Sequence, residues 1–265
     1  MTLFDPDVPS SDGEPTERIR LDVSYDGAAF HGAAANPGVR TVAGTLTDAL
    51  ERVLRHRVTL TLAGRTDAGV HARQQVVTFD AVVDRVDCDR LPVTLTKLCG
   101  PDLAVLDAEV VPDDFDARFS AVERRYRYSI LRRALPDPLR RDTVWHVPTP
   151  LDLARMRLGC DPLIGEHDFS SFCRRPKDRP EASLSRRITD LRVVEVDDDV
   201  LEVRIAANAF CHQMVRSIVG VLVSVGEGRL TAADVMTILR ARDRTAVPRV
   251  APPQGLVLHE VVYPA

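Results

Sequence analysis

The stretch Leu62-Ala63-Gly64-Arg65-Thr66-Asp67-Ala68-Gly69-Val70-His71-Ala72 connects two apolar, strand-like runs, residues 58–62 and 75–79. Its glycines carry no Cβ, so the chain can turn sharply there and another backbone or a ligand can approach closely. Turn chemistry alone accounts for the glycines, and aspartate is itself a common turn former. An ordinary strand connection has no need of an arginine and an aspartate beside them, however, and loops held by a rigid sheet are where binding and catalytic side chains concentrate. The pattern leaves Asp67 open as a turn former or as a functional carboxylate.

Working outward, residues 18–25 alternate Ile19, Leu21, Val23 and Tyr25 with polar partners, which predicts a half-buried strand closed by Asp26-Gly27. Thr41 can cap a helix whose apolar face is Val42, Leu46, Leu50, Val53 and Leu54. A short helix over 91–98 and a strand over 103–111 follow. Residues 125–130 alternate again, with Tyr126, Tyr128 and Ile130 on one face and Arg125, Arg127 and Ser129 on the other. That face suits nucleotide stacking, although buried core tyrosines give the same alternation. Residues 135–150 read as a loop, and Thr149-Pro150 as the start of a helix running to Leu163. The basic, proline-containing segment 165–180 reads as an irregular loop. A hairpin over 191–206 turns at Asp197-Asp198-Asp199. The stripe Met214, Ile218, Val221, Leu222 and Val225 predicts a helix ended by Gly226 and Gly228, and Thr231 with Asp234 opens the next as a capping box. A strand over 256–262 closes the series. The order divides into a disordered acidic tail (1–17), an α+β lobe carrying the loop (18–115) and a second α+β lobe (116–265), an arrangement that permits one shared sheet.

Composition narrows the class. At 265 residues, 45% hydrophobic and 28% charged, the chain reads as a soluble globular protein. No apolar run approaches the roughly 18 residues of a membrane span, so no membrane partner is expected, and residues 1–17 resemble neither a signal nor a transit peptide. Five cysteines without a CxxC argue for free thiols in a reducing cytoplasm and against zinc. Cys211 and His212 are adjacent, a poor spacing for metal ligands. Net charge is −4, yet arginines bunch at 124–127, 132–133, 140–141, 174–179, 186–187 and 240–249. Those bunches can form a phosphate-binding face; solvated arginines of a biased composition explain them equally well.

Gly64-Arg65-Thr66-Asp67-Ala68-Gly69-Val70-His71 resembles the catalytic-loop signature of the tRNA pseudouridine synthase A family. The resemblance extends through Tyr25-Asp26-Gly27, through Phe115-Asp116-Ala117-Arg118-Phe119-Ser120-Ala121 with Arg125-Tyr126-Arg127-Tyr128, and through Asn208-Ala209-Phe210 with Met214-Val215-Arg216-Ser217-Ile218-Val219-Gly220. It ends with Gly255-Leu256 and Val262-Tyr263-Pro264. It implies the pseudouridine synthase fold: two ferredoxin/RRM-like α+β lobes sharing a central, mostly antiparallel sheet with helices on one side. It implies Asp67 as the essential catalytic residue, Arg216 as the arginine that pairs with it, and Tyr126 as the substrate-contacting tyrosine. It also implies a homodimer acting on uridines at positions 38–40 of the tRNA anticodon arm. One departure stands out: after Gly32 the family has Trp-Gln, and this chain has Ala33-Ala34.

The implied reaction breaks a uridine's N1–C1′ bond, turns the base and rejoins it through C5. As an isomerisation it needs no cofactor or metal, only a carboxylate acting as nucleophile or as base at the sugar; the sequence does not choose between the two. The base must leave its stack first. Arg65 is a candidate to fill the vacated position or hold a flanking phosphate. His71 reads as a loop-packing residue ahead of an RNA contact. Arg118, Arg125, Arg127, Arg174 and Arg175 are further RNA-binding candidates. Two other classes remain: a non-catalytic RNA-binding protein, which would not need Asp67, and a metal- or thiol-dependent hydrolase, for which the ligand spacing is poor.

Overall fold

The computed structural model describes residues 13–175 and 179–264. The acidic tail up to residue 12 and Lys177 of the basic loop lie outside them. The chain folds into two compact units, Met1–Val122 with Leu258–Ala265, and Glu123–Val257.

The first unit is built on β1 (Thr16–Tyr25), with antiparallel partners β3 (His71–Val82) and β4 (Leu103–Val111) on either side. Its alternation is realised: Ile19, Leu21 and Val23 are completely buried, each side chain contributing about 1.5–3 kcal/mol of hydrophobic stabilisation. Residues 13–17 depart from the expected tail. Glu14 pairs with Arg85 at 2.7 Å, the Pro15 carbonyl accepts from the Val83 N–H, and Thr16 and Glu17 extend the β1–β3 ladder. α1 (Val42–Leu54) starts at Thr41, whose hydroxyl accepts from the Gly44 N–H at 3.1 Å. α1 packs on α2 (Leu91–Cys99), and α2 packs on β4. The strand expected over 58–62 shrinks to β2 (Thr61–Leu62), because the Val58 N–H is taken by the Glu51 carboxylate at the end of α1. β3 is longer than residues 75–79 because it is buried at most positions, with little alternation to mark its ends.

The expected boundary after Phe115 moves to Val122. Phe115 packs on Tyr263 with ring centroids 4.8 Å apart, the Ala117 N–H donates to Thr78, and the Ala117 carbonyl accepts from the Tyr263 hydroxyl at 2.6 Å. These contacts tie residues 115–122 and the chain's end to the first unit.

In the second unit β5 (Glu123–Leu131) pairs antiparallel with β9 (Val200–Ala207), β9 with β8 (Ser185–Asp197), and β8 with β7 (Gly165–Asp168). β6 (Trp145–His146) adds a short parallel pairing to β5. β10 (Leu256–Val262) runs across the boundary between the units. The fold is thus mixed α+β with mostly antiparallel pairing.

Three local expectations are corrected. The helix placed at Thr149-Pro150 is α3 (Leu153–Leu158), capped by Asp152, whose carboxylate accepts from the Arg155 N–H at 3.0 Å; a proline at the start signalled less than the carboxylate did. The segment 165–180 is not wholly irregular, since it contains β7 and a 3-10 turn fixed by the fully buried Phe169 and Phe172. The free-thiol reading fails at one pair: Cys173 and Cys211 are disulfide-bonded, with Cα atoms 5.7 Å apart, while Cys88, Cys99 and Cys160 are free. Separation in sequence carried no sign of that proximity. Burial raises the Cys99 thiol to about 11 and the Cys160 thiol to about 12.

α4 (Met214–Gly226) is the central helix of this unit, and α5 (Ala232–Ala241) follows with the anticipated capping box. Instead of an amphipathic stripe, α4 is apolar nearly all round. Of its 13 residues, Arg216 is the one position that is not buried.

Candidate active site

The loop after β2 is held along its length by the first unit. At its start Gly64 bonds the Gln75 side-chain amide twice, donating to Oε1 at 3.2 Å and accepting from Nε2 at 2.8 Å. In its middle the Thr66 carbonyl accepts from the Ala33 N–H at 3.0 Å, and the Thr66 hydroxyl meets the Tyr25 hydroxyl at 2.8 Å. Past Asp67 the loop turns back on itself, the Val70 N–H donating to the Asp67 carbonyl at 3.2 Å. Asp67 is half-buried between these fixed points, and Arg65 beside it is exposed. Tyr25 is buried, and burial raises its phenol above the usual value against the pull of its bonds to Thr66 and Gln75, so it stays neutral near pH 7.

His71 is buried, and its Nδ1 lies 3.0 Å from both the Gly27 N–H and the Asp26 carboxylate. A backbone N–H can only donate, so Nδ1 accepts from Gly27. Burial and this bond fit the packing role for His71. The Ala33-Ala34 departure sits directly against the loop through the Ala33–Thr66 bond.

The second unit carries the other candidates. Tyr126 is 8% exposed on β5, and its ring stands edge-on to Phe210 at a centroid distance of 5.0 Å. Phe210 belongs to the connection leading into α4, so this contact ties Tyr126 to the helix bearing Arg216. Tyr128 is core: fully buried, it donates to the Pro252 carbonyl at 2.7 Å, and burial raises its phenol while nearby Arg216 opposes the rise. The Arg216 guanidinium donates from Nε to the Ala251 carbonyl at 2.8 Å, and the Ala251 N–H returns a bond to the Arg216 carbonyl at 3.0 Å. Residues 249–251 reach the helix because position 220 is glycine; a Cβ there would lie 2.3 Å from the Arg249 carbonyl oxygen. Arg244 donates to the Ser171 carbonyl and to Gln213 at the head of α4, and it titrates below its usual value through burial first and Arg216 second.

The remaining arginines are scattered. Arg118 lies over Phe119 at 5.3 Å in the Phe115–Ser120 turn. Arg125 pairs with Glu123 at 2.7 Å and Arg127 lies 3.9 Å from Glu202. Arg175 is held by the Pro180 and Ala182 carbonyls, and the Arg174 N–H donates to the His212 carbonyl. Surface pairs of this kind contribute about 0–1 kcal/mol, so a phosphate can displace them. The sequence reading missed Gln75, Tyr25 and Thr66 as the residues that fix the loop. Its one available signal was a glutamine opening the mainly apolar run 75–79.

Comparison with known proteins gives a consistent set. A family profile described as tRNA pseudouridine synthase matches residues 160–264. A tRNA pseudouridine synthase A of Listeria monocytogenes serotype 4a is 39% identical over 248 residues, covering 93% of this chain and 99% of the relative. One of Leifsonia xyli subsp. xyli is 41% identical over 267 residues, covering 93% and 92%. One of Thermoanaerobacter sp. is 38% identical over 245 residues, covering 92% and 99%.

Proposed function

Because this chain belongs to the tRNA pseudouridine synthase A family, a family of isomerases acting on tRNA, we propose that Asp67 is the carboxylate that attacks or deprotonates at the sugar of a flipped anticodon-arm uridine. The observation that carries this reading is the loop itself. A half-buried aspartate stands between Thr66, bonded through both its carbonyl and its hydroxyl, and a closed turn to Val70. Such preorganisation suits a group that must meet C1′ within about 3–3.5 Å.

The other roles follow from the resemblance and the chemistry. Flipping a uridine costs a few kcal/mol, and stacking on Tyr126, whose ring Phe210 fixes, returns about 1–3 kcal/mol. Arg65, exposed on the same loop, takes the vacated position or a flanking phosphate. Arg118, Arg125, Arg127, Arg174 and Arg175 hold the RNA backbone, and His71 supports the loop from behind. Arg216 is the arginine that the family resemblance pairs with Asp67, and a guanidinium in that role favours the ionised carboxylate. Arg216→Ala is therefore expected to lower kcat by about 10²-fold while leaving the Kd for tRNA nearly unchanged. A rise in Kd with kcat preserved, read from single-turnover and filter-binding assays, would reject that role.

The substrate is tRNA, with uridines 38–40 as targets, and the enzyme works as a cytoplasmic homodimer. The cytoplasmic assignment rests on the substrate, because the Cys173–Cys211 bond takes away the argument from free thiols. No helix among the described residues is long and apolar enough to cross a membrane. Mapping pseudouridine in tRNA transcripts that keep a single uridine at 38, 39 or 40 tests the target. Modification confined to other positions would contradict it.

A further inference from the structure

Gln75 is completely buried in the middle of β3, where an apolar residue would fill the space without a polar group to satisfy. Its amide does a particular task. The β2–β3 ladder pairs Leu62 with Val77, and the Ala63 N–H donates to the Val76 carbonyl at 2.8 Å. At Gly64 the chain leaves β3, beyond reach of its backbone. There the Gln75 side chain stands in for the missing ladder partner, offering Oε1 to the Gly64 N–H and Nε2 to the Gly64 carbonyl. These two bonds fix which end of the amide is which. The second Nε2 proton points to the Tyr25 oxygen at 3.4 Å. Tyr25 therefore accepts from Gln75, and its hydroxyl also meets the Thr66 hydroxyl at 2.8 Å. A hydrogen-bonded chain, Gln75 to Tyr25 to Thr66, ends at the residue before Asp67.

From this we infer that Gln75, acting through Tyr25, is a positioning residue of the reaction: it sets the height of the loop above the sheet and so the place of the Asp67 carboxylate. The inference rests on Asp67 being the catalytic carboxylate. Neither Gln75 nor Tyr25 touches the substrate; both are buried beneath the loop. Their loss should thus act on the chemical step and spare RNA binding, which the surface arginines supply.

The test compares Gln75→Met, which keeps the shape and removes both amide functions, with Tyr25→Phe, which removes one oxygen. Both are measured beside wild type and Asp67→Asn on unmodified tRNA, for kcat, KM and Tm. Since a misplacement of about 1 Å costs on the order of 10²-fold in rate, kcat of Gln75→Met should fall by about 10–100-fold with KM within about twofold. Tyr25→Phe should fall less, and the double variant no further than Gln75→Met, because the two act in series. A folded Gln75→Met and Tyr25→Phe with wild-type kcat, whatever their Tm, would overturn the inference, as would a rise in KM alone. Should Gln75→Met fail to fold, Tyr25→Phe decides by the same split. Wild type inactive on tRNA would strike the functional reading; active wild type with fully active variants would strike this inference alone.

Discussion

Gly27→Ala is expected to destabilise the protein by about 3 kcal/mol, at the upper end of overpacking costs, and to reduce turnover of the fraction that folds. A Cβ at position 27 would lie 2.0 Å from the Val70 carbonyl oxygen, 2.3 Å from its carbon and 2.8 Å from its nitrogen. All three are backbone atoms, so no side chain can swing aside. The clash is relieved only by moving residues 26–28 or the end of the Asp67 loop. The first choice breaks the bond from the Gly27 N–H to His71, and the second shifts the turn in which the Val70 N–H holds the Asp67 carbonyl. Thermal unfolding and single-turnover rates read the two effects separately. A variant with unchanged Tm and rate would show that the packing of Gly27 on Val70 does not hold the loop.

The larger effect on chemistry is expected at Asp67. Asp67→Asn keeps the size of the side chain and its capacity to accept a hydrogen bond, but it removes the charge needed by a nucleophile or a base. Loss of such a group lowers kcat by about 10⁴-fold or more. Tm should stay close to wild type, because a half-buried loop carboxylate contributes little to the core. The Kd for tRNA should stay within about threefold, because counterion release at arginines dominates that affinity. Residual turnover within tenfold of wild type would mean that the reaction uses another group.

Much of the architecture was legible because its signals are local. The period-2 pattern of 18–25, the Thr41 cap, the capping box at Thr231 and Asp234, and the strands at 103–111 and 256–262 all depend on neighbours a few residues apart, and each appears in place. What was not legible depends on tertiary partners. β2 is short because Glu51 of α1 takes the Val58 N–H. Residues 115–122 join the first unit because Tyr263, far along the chain, holds Phe115 and Ala117. The Cys173–Cys211 bond joins positions 38 residues apart whose spacing says nothing of their meeting. For the site the division is similar. The loop around Asp67 stands out by its own residue types, whereas Arg216 is singled out only by the family resemblance. The supports of that loop, Gln75, Tyr25 and Ala33, come from three separate segments and needed the fold to be recognised.

The most direct measurement is tritium release from 5-tritiated uridine in unmodified tRNA, wild type against Asp67→Asn, with tRNA binding measured for both. Isomerisation to the C5-glycoside must expel the C5 hydrogen, so release follows the proposed chemistry itself and not association with RNA. Release by wild type and none by Asp67→Asn, with equal binding, is the predicted result. Tight binding by wild type without release would contradict it, leaving an RNA-binding protein on a synthase scaffold.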